Sequence, residues 1–176
     1  MTGNTIPDID SYTRSHKEPW PGGRTNHYYH DLNRDWCWQT QQETQQRIKL
    51  YKKWMPHVHV DYHEQYYDEP YYFAPAVEPY HELITDWQRE FQKIIGQNNA
   101  RYFDKNQLLY FRNEEFDLLY PGYGDTYPIF NGALGMTYEK GGIEAGVAIK
   151  TEAKDTLTLE ERINHHYLTG IATIEA

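Results

Sequence analysis

A chain of 176 residues with a hydrophobic share of 39% has the length of one domain with a modest core. Its 17 Lys and Arg against 26 Asp and Glu give a formal net charge of -9, which leaves no broad basic surface for a nucleic-acid backbone. No apolar run approaches the roughly 20 residues that span a bilayer, Met1 to Ser11 hold no basic run leading into an apolar core, and a single cysteine, Cys37, makes no internal disulfide. These features exclude a membrane-spanning helix and a visible secretory signal, and they leave the compartment open.

Met1 to Asn26 is rich in Pro, Gly and polar residues, including Pro19-Trp20-Pro21-Gly22-Gly23, and reads as a loop that carries Arg24 toward the rest of the chain. Asp31-Leu32-Asn33-Arg34-Asp35-Trp36 forms a second loop. Thr40-Gln41-Gln42-Glu43 has capping-box spacing and predicts a helix from about Gln41 to Met55, with Ile48, Tyr51 and Trp54 or Met55 turned inward and Pro56 as its stop.

His57 to Glu64 alternates polar and apolar residues, which predicts a strand with Val58, Val60 and Tyr62 on one face and His57, His59, Asp61 and His63 on the other. Imidazoles and a carboxylate on a buried face are costly unless paired, protonated or bound to a metal, so the row is either a metal site or a hydrogen-bonded set under a loop. His59 and His63 are four apart. On a strand that separates their Cα atoms by roughly 13 Å, too far for one zinc, and it leaves Asp61 better placed to support His63 than to bind metal itself.

Glu64 to Ala76 is an aromatic loop whose Tyr66 to Phe73 stretch serves either packing or a sugar-stacking platform. Glu78-Pro79 reads as a helix start, with Tyr80, Leu83, Ile84, Trp87, Phe91, Ile94 and Ile95 at helical spacing and Gly96 as the end. Glu78 and His81 have ligand-like spacing, which a helix cap explains equally well. Leu108 to Phe111 is strand or loop, and Tyr120-Pro121-Gly122-Tyr123-Gly124-Asp125 is a loop. Leu134, Met136 and Tyr138 alternate with Gly135, Thr137 and Glu139 in a second strand ended by Gly141-Gly142, and a short strand comes after it near Gly146 to Lys150. Thr158 to Glu161 is another capping box, opening a helix with Leu159, Ile163, Tyr167 and Ile171 as its inner stripe. Helices and strands interleaved in this way predict α/β packing in one domain over residues 1–176.

Two of these strands carry an ionisable side chain toward their carboxyl ends, His63 and Glu139, where α/β sheets place ligands. If the strands are neighbours, the pair faces one cleft. A zinc-bound histidine with a carboxylate to accept a proton is a hydrolytic arrangement, and Arg24 and Arg34 add fixed positive charge and carboxylate recognition.

Taken in order, Gly23-Arg24-Thr25-Asn26, Asp31-Leu32-Asn33-Arg34-Asp35-Trp36, Asp61-Tyr62-His63 and Met136-Thr137-Tyr138-Glu139 resemble the zinc carboxypeptidases of the carboxypeptidase A type, from about Pro7 to Ile174. The resemblance implies a mixed sheet flanked by helices and hydrolysis of a peptide or amide bond next to a free C-terminal carboxylate. It implies His63 as one zinc ligand, Glu139 as the general base and Arg24 as the oxyanion-stabilising arginine. It further implies Asn33 and Arg34 as the grip on the substrate carboxylate, Tyr120 or its rival Tyr123 as the capping tyrosine, and Asp125 at the specificity pocket. The family's His-x-x-Glu zinc motif is absent upstream of Asn33: His16 is followed three on by Pro19, His27 by His30, and His30 by Asn33. The chain therefore resembles the C-terminal portion of such a domain, inactive alone and partnered by the missing N-terminal portion, or a degenerate form that binds peptide carboxylates without cleaving them.

Overall fold

A computed structural model describes residues 23–143 and 145–176, so the loop read over Met1 to Asn26 lies outside the described residues up to Gly22. The first described element is a 3-10 turn, Leu32–Arg34, started by Asp31, whose carboxylate accepts from the Asn33 backbone N–H at 2.8 Å. Helix α1 comes next at Gln42–Trp54. The expected Thr40/Glu43 capping box does not form. Asp35 takes its place, accepting from the Thr40 hydroxyl at 2.7 Å and from the Thr40 and Gln41 backbone N–H groups at 3.0 Å each, because the preceding loop folds back over the helix start. Thr44, Ile48 and Tyr51 are the inner face, whereas Trp54 is 77% exposed and Met55 is exposed as well, contrary to the expected stripe.

The first sheet elements are β1 at Val58–Tyr66, β2 at Tyr71–Tyr72 and β3 at Val77–Tyr80. Helix α2 spans Asp86–Lys105, β4 Tyr110–Phe111, β5 Asp117–Leu118, and the short α3 Thr126–Ile129. The chain closes with β6 at Leu134–Ile143, β7 at Ala148–Lys150, β8 at Thr156–Thr158 and α4 at Leu159–Glu175. Four strands form one sheet in the order β1-β6-β2-β4, with β1 parallel to β6, β6 antiparallel to β2, and β2 parallel to β4. The fold is α/β with a mixed sheet.

Face alternation decides what each side of that sheet does. Leu134, Met136 and Tyr138 turn toward α2 and α4, joining Tyr71, Phe73, Ile95 and Phe103 in the main core. His59 points the other way, edge-on to Trp36 and Tyr51 in a smaller cluster under α1. Tyr71, Tyr72 and Phe73 are at most 1% exposed, so these three rings of the aromatic stretch are core and are not presented to a ligand.

Three expectations about element ends change. Helix α2 begins at Thr85 rather than Glu78-Pro79, with a complete Thr85/Gln88 capping box, and residues 77–80 pair as a strand with β5. Gly96 lies inside α2, where a Cβ would run into the Ala74 carbonyl oxygen; it is a close-packing glycine, not a terminator. Gly141-Gly142 likewise sits within β6, since Cβ atoms there would strike the carbonyls of Glu69 and Tyr67 and the carboxylate of Glu64.

The largest reversal concerns α4. Its Thr158/Glu161 capping box forms as expected, but Leu159, Ile163, Tyr167 and Ile171 face solvent, joined by Ile174. The inward face instead carries Arg162, Thr169 and Ala172, with Thr173 at 2.6 Å from the Tyr138 hydroxyl. One flank of α4 packs on α2, where Asn98 Nδ2 donates to the Ala172 carbonyl at 2.6 Å; the other reaches β1, where Gly170 abuts the Tyr62 hydroxyl. Among the described residues β1 pairs with β6 alone and is an edge strand.

Candidate active site

The parallel register sets His63 directly opposite Glu139 on neighbouring strands, so the two side chains share a face about 5 Å apart at the backbone. The Asn33-Arg34 turn and the 120s loop close over this pair. A cavity of about 200 Å³ results, lined by Arg24, Asn33, Arg34, His63, Tyr123, Asp125 and Glu139, with Thr137 at its base and Glu64, Glu115, Phe116 and Asp117 completing the wall.

His63 is fixed from behind. Its Nε2 lies 2.7 Å from Asp61 Oδ2 and 3.2 Å from Asn33 Nδ2. Asn33 Oδ1 accepts from the Trp36 indole at 3.1 Å and from the Gly124 N–H at 2.9 Å, which assigns the amide nitrogen to the side of His63 and Asp61, and the Asp61 carboxylate, an acceptor only, takes the His63 Nε2 proton. Nδ1 is then the nitrogen left with a lone pair in the neutral ring. The Asp61 hydrogen bond raises the His63 pKa against the opposing effect of burial.

Glu139 is 9% exposed, and its Oε2 has no hydrogen-bond partner among the described residues. Burial pushes its carboxyl up to about 7, with His63 pulling the other way and the Asp61 carboxylate adding to the rise. A carboxyl held there exchanges a proton readily near neutral pH. Beneath it, Asp125 accepts from the hydroxyls of Thr126 at 2.9 Å and Thr137 at 2.8 Å, and burial raises its pKa too.

Both arginines are held by one residue that the sequence did not single out by itself. Asp31 Oδ2 accepts from Arg24 Nε at 2.8 Å and lies 3.8 Å from Arg34 Nη1, while Arg34 stacks on the Tyr123 ring at 4.4 Å and donates to the Asn33 carbonyl at 3.3 Å. An aspartate two residues before a turn asparagine was the available signal, since its side chain can accept from the backbone two residues on. Both guanidiniums remain largely exposed, so an incoming anion can reach them.

The two tyrosine candidates separate. Tyr123 lines the cavity, whereas Tyr120 lies outside it, its hydroxyl accepting from the Trp38 indole at 2.7 Å and donating to the Arg34 carbonyl at 3.0 Å. Glu78 and His81 do not join the site: Glu78 pairs with Arg89 at 2.7 Å on β3.

For a metal the donor set is short. Among the described residues no three His, Cys, Asp or Glu side chains group as a metal site. The described residues by themselves do not fit a zinc ion. No protein-family model, curated protein or solved structure matches this chain.

Proposed function

We propose that this chain is the substrate-gripping and proton-handling part of a metallocarboxypeptidase-like hydrolase, acting on a peptide or amide bond beside a free C-terminal carboxylate. The in-register pairing of His63 with Glu139 under the Asn33-Arg34 turn carries this reading. Arg34, with the amide of Asn33, receives the substrate carboxylate as a charge-assisted pair. Arg24 faces the bond to be cleaved, Tyr123 closes over the bound residue, and Glu139 is the proton acceptor. Two further metal ligands come from another segment of the same domain.

The uncovered flank supports that last statement. Among the described residues β1 presents a nine-residue open edge, and His63 lies on that strand, so a strand added there sets its side chains beside the incomplete site. Val58, Tyr62 and Tyr66 on β1, with the outward stripe of α4, together expose on the order of 800 Å², the share one partner gives to a stable interface. The segment this flank fits adds a strand at β1 and an apolar face over α4.

A second reading, a module that binds peptide carboxylates without cleaving them, is favoured by the lack of a grouped metal-ligand set among the described residues. Supplying the chain with a segment that carries the two further ligands and measuring release of C-terminal residues separates the two. Activity appears and falls at least 1,000-fold in Glu139→Gln if Glu139 is the base; activity untouched by that substitution refutes the assignment.

A further inference from the structure

The cavity wall opposite in charge to Arg24 and Arg34 belongs to a different part of the chain, the segment entering β5. There Glu115 and Asp117 both line the cavity. Asp117 Oδ1 accepts from the Leu119 N–H at 2.8 Å, and neither carboxylate forms an ion pair among the described residues. By contrast, the two arginines of the same cavity already share Asp31. Glu139, nine-tenths buried with an oxygen that has no hydrogen-bond partner among the described residues, opens into this same space, so the cavity holds polar capacity that those residues leave unmet.

Resting on the carboxypeptidase-like reading, we propose that the site selects a C-terminal residue with a cationic side chain, its ammonium or guanidinium taken by Glu115 and Asp117 while Arg34 takes its carboxylate. The substrate class is a peptide ending in a basic amino acid. A cavity of about 200 Å³ accommodates one such residue and not a larger partner. An acidic side chain there meets Glu115, Asp117 and Asp125 together, and an aliphatic one leaves two carboxylates without a counter-charge. Specificity thus arises from the pairing of opposite charges on two walls of one cavity.

The test compares fluorescent peptides identical except at the last residue, ending in Lys, Arg, Leu or Glu, each as free acid and as amide, against the wild-type chain and Glu115→Gln/Asp117→Asn. The proposal predicts that Lys and Arg acids bind at least 10-fold tighter than the Leu acid and that Glu binds weakest. It predicts a Lys-over-Leu preference below 3-fold in the double variant, through loss of Lys affinity, and a wild-type preference that shrinks with added salt. Acids that all bind better than amides but with no Lys preference overturn this inference and leave the parent reading standing. Acids and amides bound alike, or no binding by any peptide, overturn both.

Discussion

Asn33 serves the scaffold. Its Oδ1 ties the Trp36 indole and the Gly124 backbone, and its amide nitrogen leans on the His63–Asp61 pair, so one side chain joins the turn, the 120s loop and β1. Asn33→Ala leaves two half-buried N–H donors without an acceptor, and chemical denaturation should show a loss of about 1–3 kcal/mol. Asn33→Asp keeps the acceptor and should recover a large part of that loss, while retained stability in Asn33→Ala would remove the clamp. At this scale the sequence was informative about residue types and weak about roles. Asn33, Arg34, His63 and Glu139 do converge, yet the carboxylates that hold them, Asp31 and Asp61, and the acidic wall of Glu115 and Asp117 acquire meaning only once distant segments meet.

At the scale of elements, period and caps were readable where neighbours in sequence set the structure. β1 and β6 alternate as expected, and the Thr158/Glu161 box opens α4. The start of α2 was written in Thr85 and Gln88, but the apolar residues before it kept the helical period and Glu78-Pro79 masked the true cap. Glycine within an element was the other blind spot, because its use depends on what crosses it. Gly96→Ala pushes a methyl into the Ala74 carbonyl, and calorimetry should show a destabilisation of about 1–3 kcal/mol in place of the small gain that Ala brings to an open helix. α4 also carries a pH dependence. His165 lies against Phe103, its Nδ1 without a partner among the described residues, and burial, reinforced by Lys140 and opposed by Glu161, pushes its pKa down to about 4. The unfolded chain, with an ordinary value of about 6.5, binds the proton first, so stability falls as pH drops from about 6.5 toward 4. The melting temperature of the wild type should therefore fall between pH 7 and pH 5, and less steeply in His165→Phe; equal slopes would contradict this.

For the whole molecule, the telling feature is an apolar stripe turned outward. Leu159, Ile163, Tyr167 and Ile171 keep a helical period that ordinarily marks a core face, and periodicity cannot say whether the covering layer lies within the described residues. Here α4 approaches β1 through His166 and Gly170, next to that stripe, and Tyr167 is 68% and Ile174 84% exposed. Ile163→Glu with Ile171→Lys should change the unfolding free energy of this chain by no more than about 0.5 kcal/mol, as for other surface positions. On the proposed function, the same pair should abolish assembly with a segment that supplies the further metal ligands, measured by size-exclusion chromatography. Assembly that survives both charges would place the contact elsewhere.

The proposed function depends on the cavity's holding a carboxylate. Calorimetric titration with one peptide, as free acid and as C-terminal amide, tests that most directly. The free acid should bind at least 10-fold tighter than the amide, and Arg34→Ala should erase the difference. Equal affinity for acid and amide in the wild-type chain would leave Arg34 without its role and contradict the proposed carboxylate grip.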